Sequence, residues 1–275
     1  PMNSSAASDV YKRQLNDFDE KSNNVNKNDL VEIDKWIISE AIKLHEEVQK
    51  LNDNYAYHHV IQKIHNFCVH ELGGVYLDII KDRMYVTKSN SYARRSAQFA
   101  LFEVAEILIR LISPILVFTA EEIWQSHELF KKQSVSIFMA SQKLLSEIES
   151  LISDEDWKKI FAVKDAVNQS IEKARADSVI KGSLDSKISI SCDKKTFKAL
   201  QKIEDELKFV FISSEVEIAE SSSSGLDIEV TNFDQKKCIR CWNKCSSVGL
   251  YAEDPEICSR CYTNVYGDGE IRKFV

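Results

Sequence analysis

Four cysteines near the C-terminal end constrain this chain more than any other feature of its sequence. Cys238 and Cys241 form one Cys-x2-Cys pair, and Cys258 and Cys261 form a second after sixteen intervening residues. Each pair places two thiolates on one side of a tight turn, and two such turns complete a tetrahedral shell for zinc. Because four thiolates leave no position open for water, the pattern predicts one structural zinc ion per chain. Disulfides or free thiols are the alternative.

The remaining cysteines favour a metal site over disulfides. The chain has seven cysteines, an odd number, and its sequence shows no secretory signal. In that context clustered cysteines more often bind metal. Cys245 breaks the symmetric spacing of the two pairs and is predicted to be a spare thiol. Cys68 and Cys192 lie in apolar patterns and are predicted to belong to the core.

Composition and charge exclude several classes of protein. With 275 residues, 44% of them hydrophobic and 29% charged, the chain is globular and long enough for two domains. Its net charge of −7 provides no global positive field for a polyanion, so only local basic patches could bind one. The most apolar stretch, residues 97–120, contains Glu103, Glu106 and Arg110 and predicts a buried helix. We therefore predict a cytoplasmic protein without a membrane partner.

The first half of the chain has the periodicity of amphipathic helices. Apolar residues recur at three- and four-residue spacing from Leu30 onward. Gly73 and Gly74 predict a weak point between two helical stretches. Short loops favour antiparallel packing, so we predict a mainly α fold that begins with a helical bundle. The predicted helices cover residues 30–51, 55–71 and 91–112, and a fourth begins at Pro114.

The next part of the chain predicts a small α/β subdomain. An amphipathic helix with acidic residues in its first turn is followed by an alternating strand and a further helix. Two short apolar runs after that helix are predicted to be strands, and a serine-rich linker leads to the zinc region. The predicted helices cover residues 153–176 and 195–207, the strands 187–192, 209–212 and 216–218, and the linker 221–225.

Residues 1–29 are expected to stand apart from this fold. They are rich in Ser, Asn and Asp and have no helical periodicity, which is typical of a disordered tail. Residues 4–14 also look like translated adapter sequence from an assembled read. On that interpretation the chain is the truncated C-terminal part of a longer protein, joined to a non-native segment.

Two local regions reverse the negative charge of the chain. Residues 236–275 contain seven basic and five acidic residues, interleaved with aromatic residues that include Trp242. This combination is typical of proteins that bind single-stranded loops of RNA. The alternative is that the aromatic residues form a small core around the zinc. Residues 81–95 contain five basic residues and a single acid, Asp82, which is also the pattern of a solvated helix face.

Three sets of motifs occur in this chain in the order found in one known family. The strings KCIRCW (237–242), EICSRC (256–261) and VYGDGEIRKFV (265–275) resemble the C-terminal zinc module of bacterial isoleucyl-tRNA synthetases, which are class I aminoacyl-tRNA synthetases. The strings ELGGVYLDIIKDRMY (71–85), RRS (94–96) and PILVFTAEEIW (114–124) resemble the helical anticodon-binding domain of that family. The strings VKDAVN (163–168), IEKARAD (171–177) and GSL (182–184) resemble its junction subdomain.

This resemblance implies binding of tRNA(Ile) through its anticodon stem and loop, by a monomer that does not bind DNA. Trp124 also fits a family motif, although its neighbours favour core packing. The implied domains are a tail or non-native junction (1–29), a helical anticodon-binding domain (30–145), an α/β junction subdomain (146–225) and a zinc-ribbon-like finger (226–275). The implied RNA contacts are Arg83, Arg94, Arg95, Arg240, Trp242 and Arg272.

The family's ATP-binding signatures, HIGH and KMSKS, are absent from this sequence. ATP and Mg would therefore belong to a missing catalytic domain, and we predict no catalytic residue here and no activity for the fragment alone. Two alternatives remain. One is a free-standing tRNA-binding protein. The other is a formamidopyrimidine-type DNA glycosylase, which has a similar finger and an N-terminal proline like Pro1, but the polar residues after Pro1 and the helical domain argue against it.

Overall fold

The computed structural model describes most of the chain and divides it into two compact units. The first contains the described residues of 1–78 and 94–149, and the second those of 79–93 and 150–275. The four-part division expected from the sequence stays a prediction. The described residues are 15, 17–18, 25–141, 146, 148–221 and 225–275.

Most of the expected N-terminal tail, residues 1–29, lies outside the described residues, but eight of its positions (15, 17–18 and 25–29) are described and belong to the first unit. Leu15 and Phe18 are buried, and the ring of Phe18 lies 6.0 Å from that of Phe102. The Asp17 carboxylate accepts two hydrogen bonds from Arg94, at 2.5 and 3.0 Å. At Leu15 and Phe18 the chain is packed, although the sequence predicted a solvated tail there.

The first unit is built from helices, as the apolar periodicity predicts. In α1 (Glu32–Asp53), the buried residues Ile33, Ile37 and Ala41 recur every four positions and line one face. The helices that follow along the chain are α2 (Tyr57–Phe67), α3 (Leu77–Val86), α4 (Tyr92–Ile112), α5 (Val117–Ser126) and α6 (Glu128–Gln133); of these, α3 belongs to the second unit from Ile79 onward.

A buried carboxylate connects the start of α1 to two other helical segments of the first unit. The Asp34 side chain accepts hydrogen bonds from the Tyr76 hydroxyl at 2.7 Å and from the Ser96 hydroxyl at 2.5 Å. The Ser96 oxygen in turn accepts from the backbone N–H of Val31 at 2.9 Å, just before α1 begins. Because each buried polar group has its partner, this network specifies how the helices meet.

The segment between α2 and α3 is a continuous π-helix, Cys68–Tyr76, and it includes the glycines at which the sequence predicted a weak point. A Cβ atom on Gly73 would lie 2.8 Å from the carbonyl oxygen of Cys68, and one on Gly74 would lie 3.1 Å from that of Val69. The glycines therefore permit this wider helical turn rather than ending the helix.

The fourth predicted helix begins three residues later than expected, at Val117. Trp124 on this helix is fully buried, as its neighbours indicated, and its ring stacks on Phe130 with centroids 5.1 Å apart. Its indole N–H donates to the backbone carbonyl of Ser134 at 2.9 Å, so burial leaves no polar atom of this ring unpaired.

The second unit contains a sheet of three strands, β1 (Ser186–Cys192), β2 (Glu215–Glu220) and β3 (Asp227–Asn232), in the order β2-β1-β3. The central strand β1 pairs in parallel with β2, with Ile188 opposite Val216, and antiparallel with β3, with Ile188 opposite Val230. Its elements are α7 (Asp154–Ala176), β1 (Ser186–Cys192), α8 (Lys194–Gln201), α9 (Leu207–Val210), β2 (Glu215–Glu220), β3 (Asp227–Asn232) and α10 (Ser259–Tyr266).

Two predictions for this unit were wrong. Residues 209–212 were expected to form a strand, but Phe209 and Val210 belong to α9 and Ile212 has a positive φ of 53° in the turn that follows. A short buried apolar run does not distinguish helix from strand by periodicity alone. The strand β3 was missed because its apolar residues are only Ile228 and Val230. In the part of the chain that the structure describes, no helix is long and apolar enough to cross a membrane.

Candidate metal centre and nucleic-acid interface

The two cysteine pairs come together in one buried cluster. The ligand sulfurs of Cys238, Cys241, Cys258 and Cys261 all lie within 4.8 Å of one another. Two of the sulfur–sulfur distances, Cys238 to Cys261 and Cys241 to Cys258, are 3.7 Å. Zinc with Zn–S bonds of about 2.3 Å places its sulfurs about 3.8 Å apart in a tetrahedron, so the cluster has the dimensions of a zinc site.

Local backbone structure builds each half of this cluster. In the first zinc knuckle, residues 238–242, the N–H of Trp242 donates to the carbonyl of Cys238 at 3.0 Å, which closes the turn between the two ligands. In the second, Cys258 precedes α10 and Cys261 lies in its first turn. The backbone N–H of Cys258 also donates to the Cys238 sulfur at 3.3 Å, which links the two halves.

Hydrogen bonds among the thiols divide negative charge unequally over the cluster. They lower the pKa of the Cys241 thiol and raise the pKa of the Cys258 and Cys261 thiols. Thiolates at all four positions therefore require the charge of a bound cation. All four ligand positions belong to the protein, so the site has a structural rather than a catalytic geometry.

The other three cysteines lie outside this cluster. Cys245 is half-buried and its sulfur is 3.4 Å from the hydroxyl oxygen of Ser247, in keeping with the predicted spare thiol. Cys192 is buried, as predicted. Cys68 is exposed, so its predicted place in the core was wrong. It lies on the π-helix, where the changed residues-per-turn alters which side chains face inward.

Arg240 and Trp242 are both exposed on the first zinc knuckle. Trp242 is 62% exposed, and its backbone has a positive φ of 65°. Its indole N–H donates to the carbonyl of Ile239 at 3.1 Å, which fixes the ring across the turn. The Arg240 guanidinium donates to the carbonyl of Val86 at 2.5 Å and remains exposed to solvent. A cation and an aromatic ring are therefore both exposed on the same knuckle.

Arg272 lies in the interior of the second unit. Its guanidinium donates to the Asp82 carboxylate at 2.9 Å and covers the Phe209 ring, with 3.2 Å between the guanidinium carbon and the ring centroid. Only 7% of the residue is exposed, and this burial lowers its pKa. Direct contact with an RNA phosphate would require Arg272 to leave these partners.

The arginines predicted from the helical part are also largely covered. Arg83 and Arg95 are buried, with 1% and 9% of each residue exposed. The Arg94 side chain is 14% exposed and pairs with Asp17. RNA contact stays a prediction for all six residues, but burial argues against Arg83, Arg95 and Arg272, and the structure presents Arg240 and Trp242.

Sequence reasoning missed a buried network of charges beside the zinc cluster. Asp82 accepts two hydrogen bonds from Arg260, at 2.6 and 2.8 Å, in addition to the one from Arg272. Burial alone would raise the pKa of Asp82, but the hydrogen bond and charge of Arg260 lower it below the ordinary value of a carboxyl group. The available signal was that Asp82 is the single acid in the basic run 81–95.

The sequence offered two roles for the aromatic residues of the zinc region, a small core around the zinc or a surface for RNA, and its tyrosines differ in this respect. Tyr251 and Tyr262 stack face to face with centroids 3.8 Å apart, and Tyr262 packs against the cysteine cluster. Tyr262 therefore covers the zinc cluster, and Tyr251 stacks on the Tyr262 ring. Tyr266 is 57% exposed, and its centroid lies 4.8 Å from that of Tyr262.

Two known families match this chain at the sites just described. Residues 34–190 match the family described as the anticodon-binding domain of tRNA ligase, and residues 235–264 match a zinc finger found in FPG and IleRS. The first match covers more than half of the chain, so the chain belongs to the family of tRNA ligase anticodon-binding domains. The second match and the four-cysteine geometry together identify the cluster as a structural zinc site.

The similar curated proteins are isoleucine–tRNA ligases. The enzyme of Alcanivorax borkumensis is 40% identical over 275 residues, which cover 94% of this chain and 29% of that protein. The enzyme of Pseudoalteromonas translucida is 42% identical over 272 residues, with the same two coverages. The enzyme of Histophilus somni is 37% identical over 292 residues, which cover 98% of this chain and 31% of that protein. The chain therefore spans less than a third of the length of these relatives.

Proposed function

We propose that this chain is the anticodon-binding and zinc-finger part of an isoleucine–tRNA ligase and that it binds the anticodon arm of tRNA(Ile). One observation carries the proposal: a tRNA ligase anticodon-binding domain and a zinc finger found in IleRS occur together in the same chain. Isoleucine transfer, which consumes ATP with Mg, would be performed by the part of the enzyme that this chain does not contain. The proposal includes a cytoplasmic location and a monomeric chain.

The exposed pair on the first zinc knuckle supports RNA as the ligand. Trp242 offers a flat apolar face on which an unstacked base can lie, and Arg240 offers a cation for an adjacent phosphate or base edge. Single-stranded loops are recognised by this combination. The net charge of −7 keeps long-range attraction weak, so recognition must depend on such local contacts.

The alternative of a DNA glycosylase loses support because the helical match extends over residues 34–190, beyond the finger that the two classes share. A free-standing tRNA-binding protein shares all the features described here. A genomic reading frame that continues upstream into the HIGH and KMSKS signatures would favour the ligase over that alternative.

The direct test is a titration of the zinc-loaded chain with tRNA(Ile) and with a non-cognate tRNA, at low and at moderate salt. We expect selective binding of tRNA(Ile), and we expect Trp242→Ala to weaken it by about tenfold, the scale of one lost stacking contact of roughly 1–3 kcal/mol. Because Trp242 is exposed, its removal should leave the melting temperature nearly unchanged.

Tyr266→Ala is the matched control, since it removes an exposed aromatic ring from the same unit, on α10 instead of the first zinc knuckle. Equal affinity for both tRNAs, or equal loss of affinity in the two variants, would contradict the proposed site. A large fall in melting temperature for Trp242→Ala would assign this ring to the fold instead.

A further inference from the structure

We propose that Asp82 is a positioning residue for RNA binding: through Arg260 it holds the first zinc knuckle in the orientation in which Arg240 and Trp242 meet the anticodon loop. This inference rests on the proposed function. Asp82 does not reach the RNA surface itself, since its side chain is covered by two guanidinium groups. Its role is argued from one face of α3 and its contacts with the zinc region, all within the second unit.

The contact between Asp82 and Arg260 is a bidentate pair. Both terminal nitrogens of Arg260 donate to the two carboxylate oxygens, at 2.6 and 2.8 Å, and the two side chains are only 16% and 22% exposed. Paired forks of this kind fix the angle as well as the distance between their partners. The contact therefore defines how α10, which carries Arg260, lies against α3.

Arg260 also lies next to a zinc ligand. It directly precedes Cys261 in α10, and the Cys261 sulfur is 3.7 Å from that of Cys238 in the first zinc knuckle. Outer partners of metal ligands set the orientation of those ligands. A carboxylate on α3 is thus connected, through Arg260 and the ligand beside it, to the knuckle that carries the two exposed RNA-binding candidates.

The same face of α3 makes a second contact with the knuckle. Val86 lies four residues after Asp82, one helical turn further along. Its side chain packs in the cysteine cluster, and its carbonyl oxygen accepts from the Arg240 guanidinium at 2.5 Å. Asp82 and Val86 therefore hold the knuckle at successive turns of one helix.

A third set of contacts keeps Arg260 in place from the other side. Glu270 accepts from both Arg260, at 3.5 Å, and Arg272, at 3.2 Å. The Glu206 carboxylate accepts the backbone N–H groups of Lys273 and the two residues after it, at 2.6 to 3.1 Å. The C-terminal residues are thereby tied to the unit, and the zinc cluster can persist when the Asp82 contact alone is weakened.

The test is Asp82→Asn in the full chain, with zinc content, tRNA(Ile) affinity and Trp242 mobility as readouts. We expect one zinc per chain to be retained, affinity to fall by about tenfold, and no further loss when Trp242→Ala is added. The expected fall in affinity is informative because removing an acid makes the chain less negative, and charge alone would therefore strengthen its binding to RNA. Asp227→Asn, an exposed position on β3, removes the same charge and should not weaken binding.

Trp242 provides a readout that needs no RNA. It is 62% exposed, whereas Trp36, Trp124 and Trp157 are at most 7% exposed, so the emission that acrylamide quenches comes from Trp242. We expect the anisotropy of that emission to fall in Asp82→Asn and to stay unchanged in Asp227→Asn. Failure of the parent chain to bind tRNA would contradict the proposed function, whereas unchanged anisotropy would contradict the positioning role.

Arg260→Lys guards against a variant that simply unfolds. It keeps a positive charge beside Asp82 but removes the two-pronged contact, so the same loss of affinity and anisotropy is expected with zinc retained. Parent-like affinity and anisotropy in a zinc-loaded Asp82→Asn protein would overturn the inference. So would loss of zinc from both variants, because Asp82 would then serve the stability of the finger instead of its orientation.

Discussion

At the scale of single residues, Gly73 shows how one missing side chain permits an irregular helix. In an ordinary exposed helix, Ala in place of Gly stabilises the protein by up to about 1 kcal/mol. In the π-helix Cys68–Tyr76, a Cβ at Gly73 would lie 2.8 Å from the Cys68 carbonyl oxygen, and that oxygen belongs to the backbone and cannot rotate away.

We therefore expect Gly73→Ala to destabilise the protein, by roughly 1–3 kcal/mol, as overpacking does elsewhere. Urea denaturation with far-ultraviolet circular dichroism would measure the change. Gly225→Ala is the control, because no atom lies within 4 Å of a Cβ built at that position. A Gly73→Ala protein as stable as the parent, or more so, would show that the π-helix reverts to an α-helix without cost.

At the scale of elements, the zinc finger depends on its metal more than on its apolar contacts. The described core around the four ligands consists of Val86 and Ile257 with three partly buried neighbours, which is too small to fold such a segment on its own. Metal binding must therefore supply most of the stability of this region.

Cys258→Ser is expected to release zinc and unfold α10, while the helices of the first unit persist. The zinc content would be measured first, and peptide-resolved hydrogen exchange would then show whether α10 has lost protection while the helices of the first unit keep theirs. Cys245→Ser changes the same atom outside the ligand cluster and should keep both the metal and the protection of α10. Simultaneous loss of protection in α1 and α10 would contradict the independent role of the finger.

At the scale of the whole molecule, net charge and local contacts act on RNA in opposite directions. The chain carries 43 acidic and 36 basic residues, so most of its surface repels a polyanion. The logarithm of the binding constant falls with the logarithm of the salt concentration, with a slope of about 0.7 for each phosphate contacted on a single strand. A binding site with only a few phosphate contacts therefore has a shallow slope.

We expect Arg240→Ala to reduce this slope for tRNA(Ile) by about 0.7, the value for one lost phosphate contact. We expect Trp242→Ala to lower the affinity at every salt concentration without changing the slope. Fluorescence titrations at four or five salt concentrations would measure both quantities. A steep slope that survives Arg240→Ala would place the main phosphate contacts elsewhere on the chain.

The sequence alone determined the zinc ligands and most helices, because both are local. Two Cys-x2-Cys pairs close their turns without help from distant residues, and the apolar stripe of α1 repeats within one helix. The sequence could not show which arginines face solvent. Arg240 and Arg272 look equivalent in a basic segment, yet Arg272 is buried against Asp82, far away in the chain, and Arg240 is exposed.

Only the tertiary structure decided that difference, because it depends on pairs of residues far apart in the chain. The same is true of residues 209–212, whose apolar side chains suit a strand or a buried helical turn equally and become helical where the packing around them requires it. Local chemistry specifies the metal centre, whereas long-range pairing selects the surface that the metal centre presents.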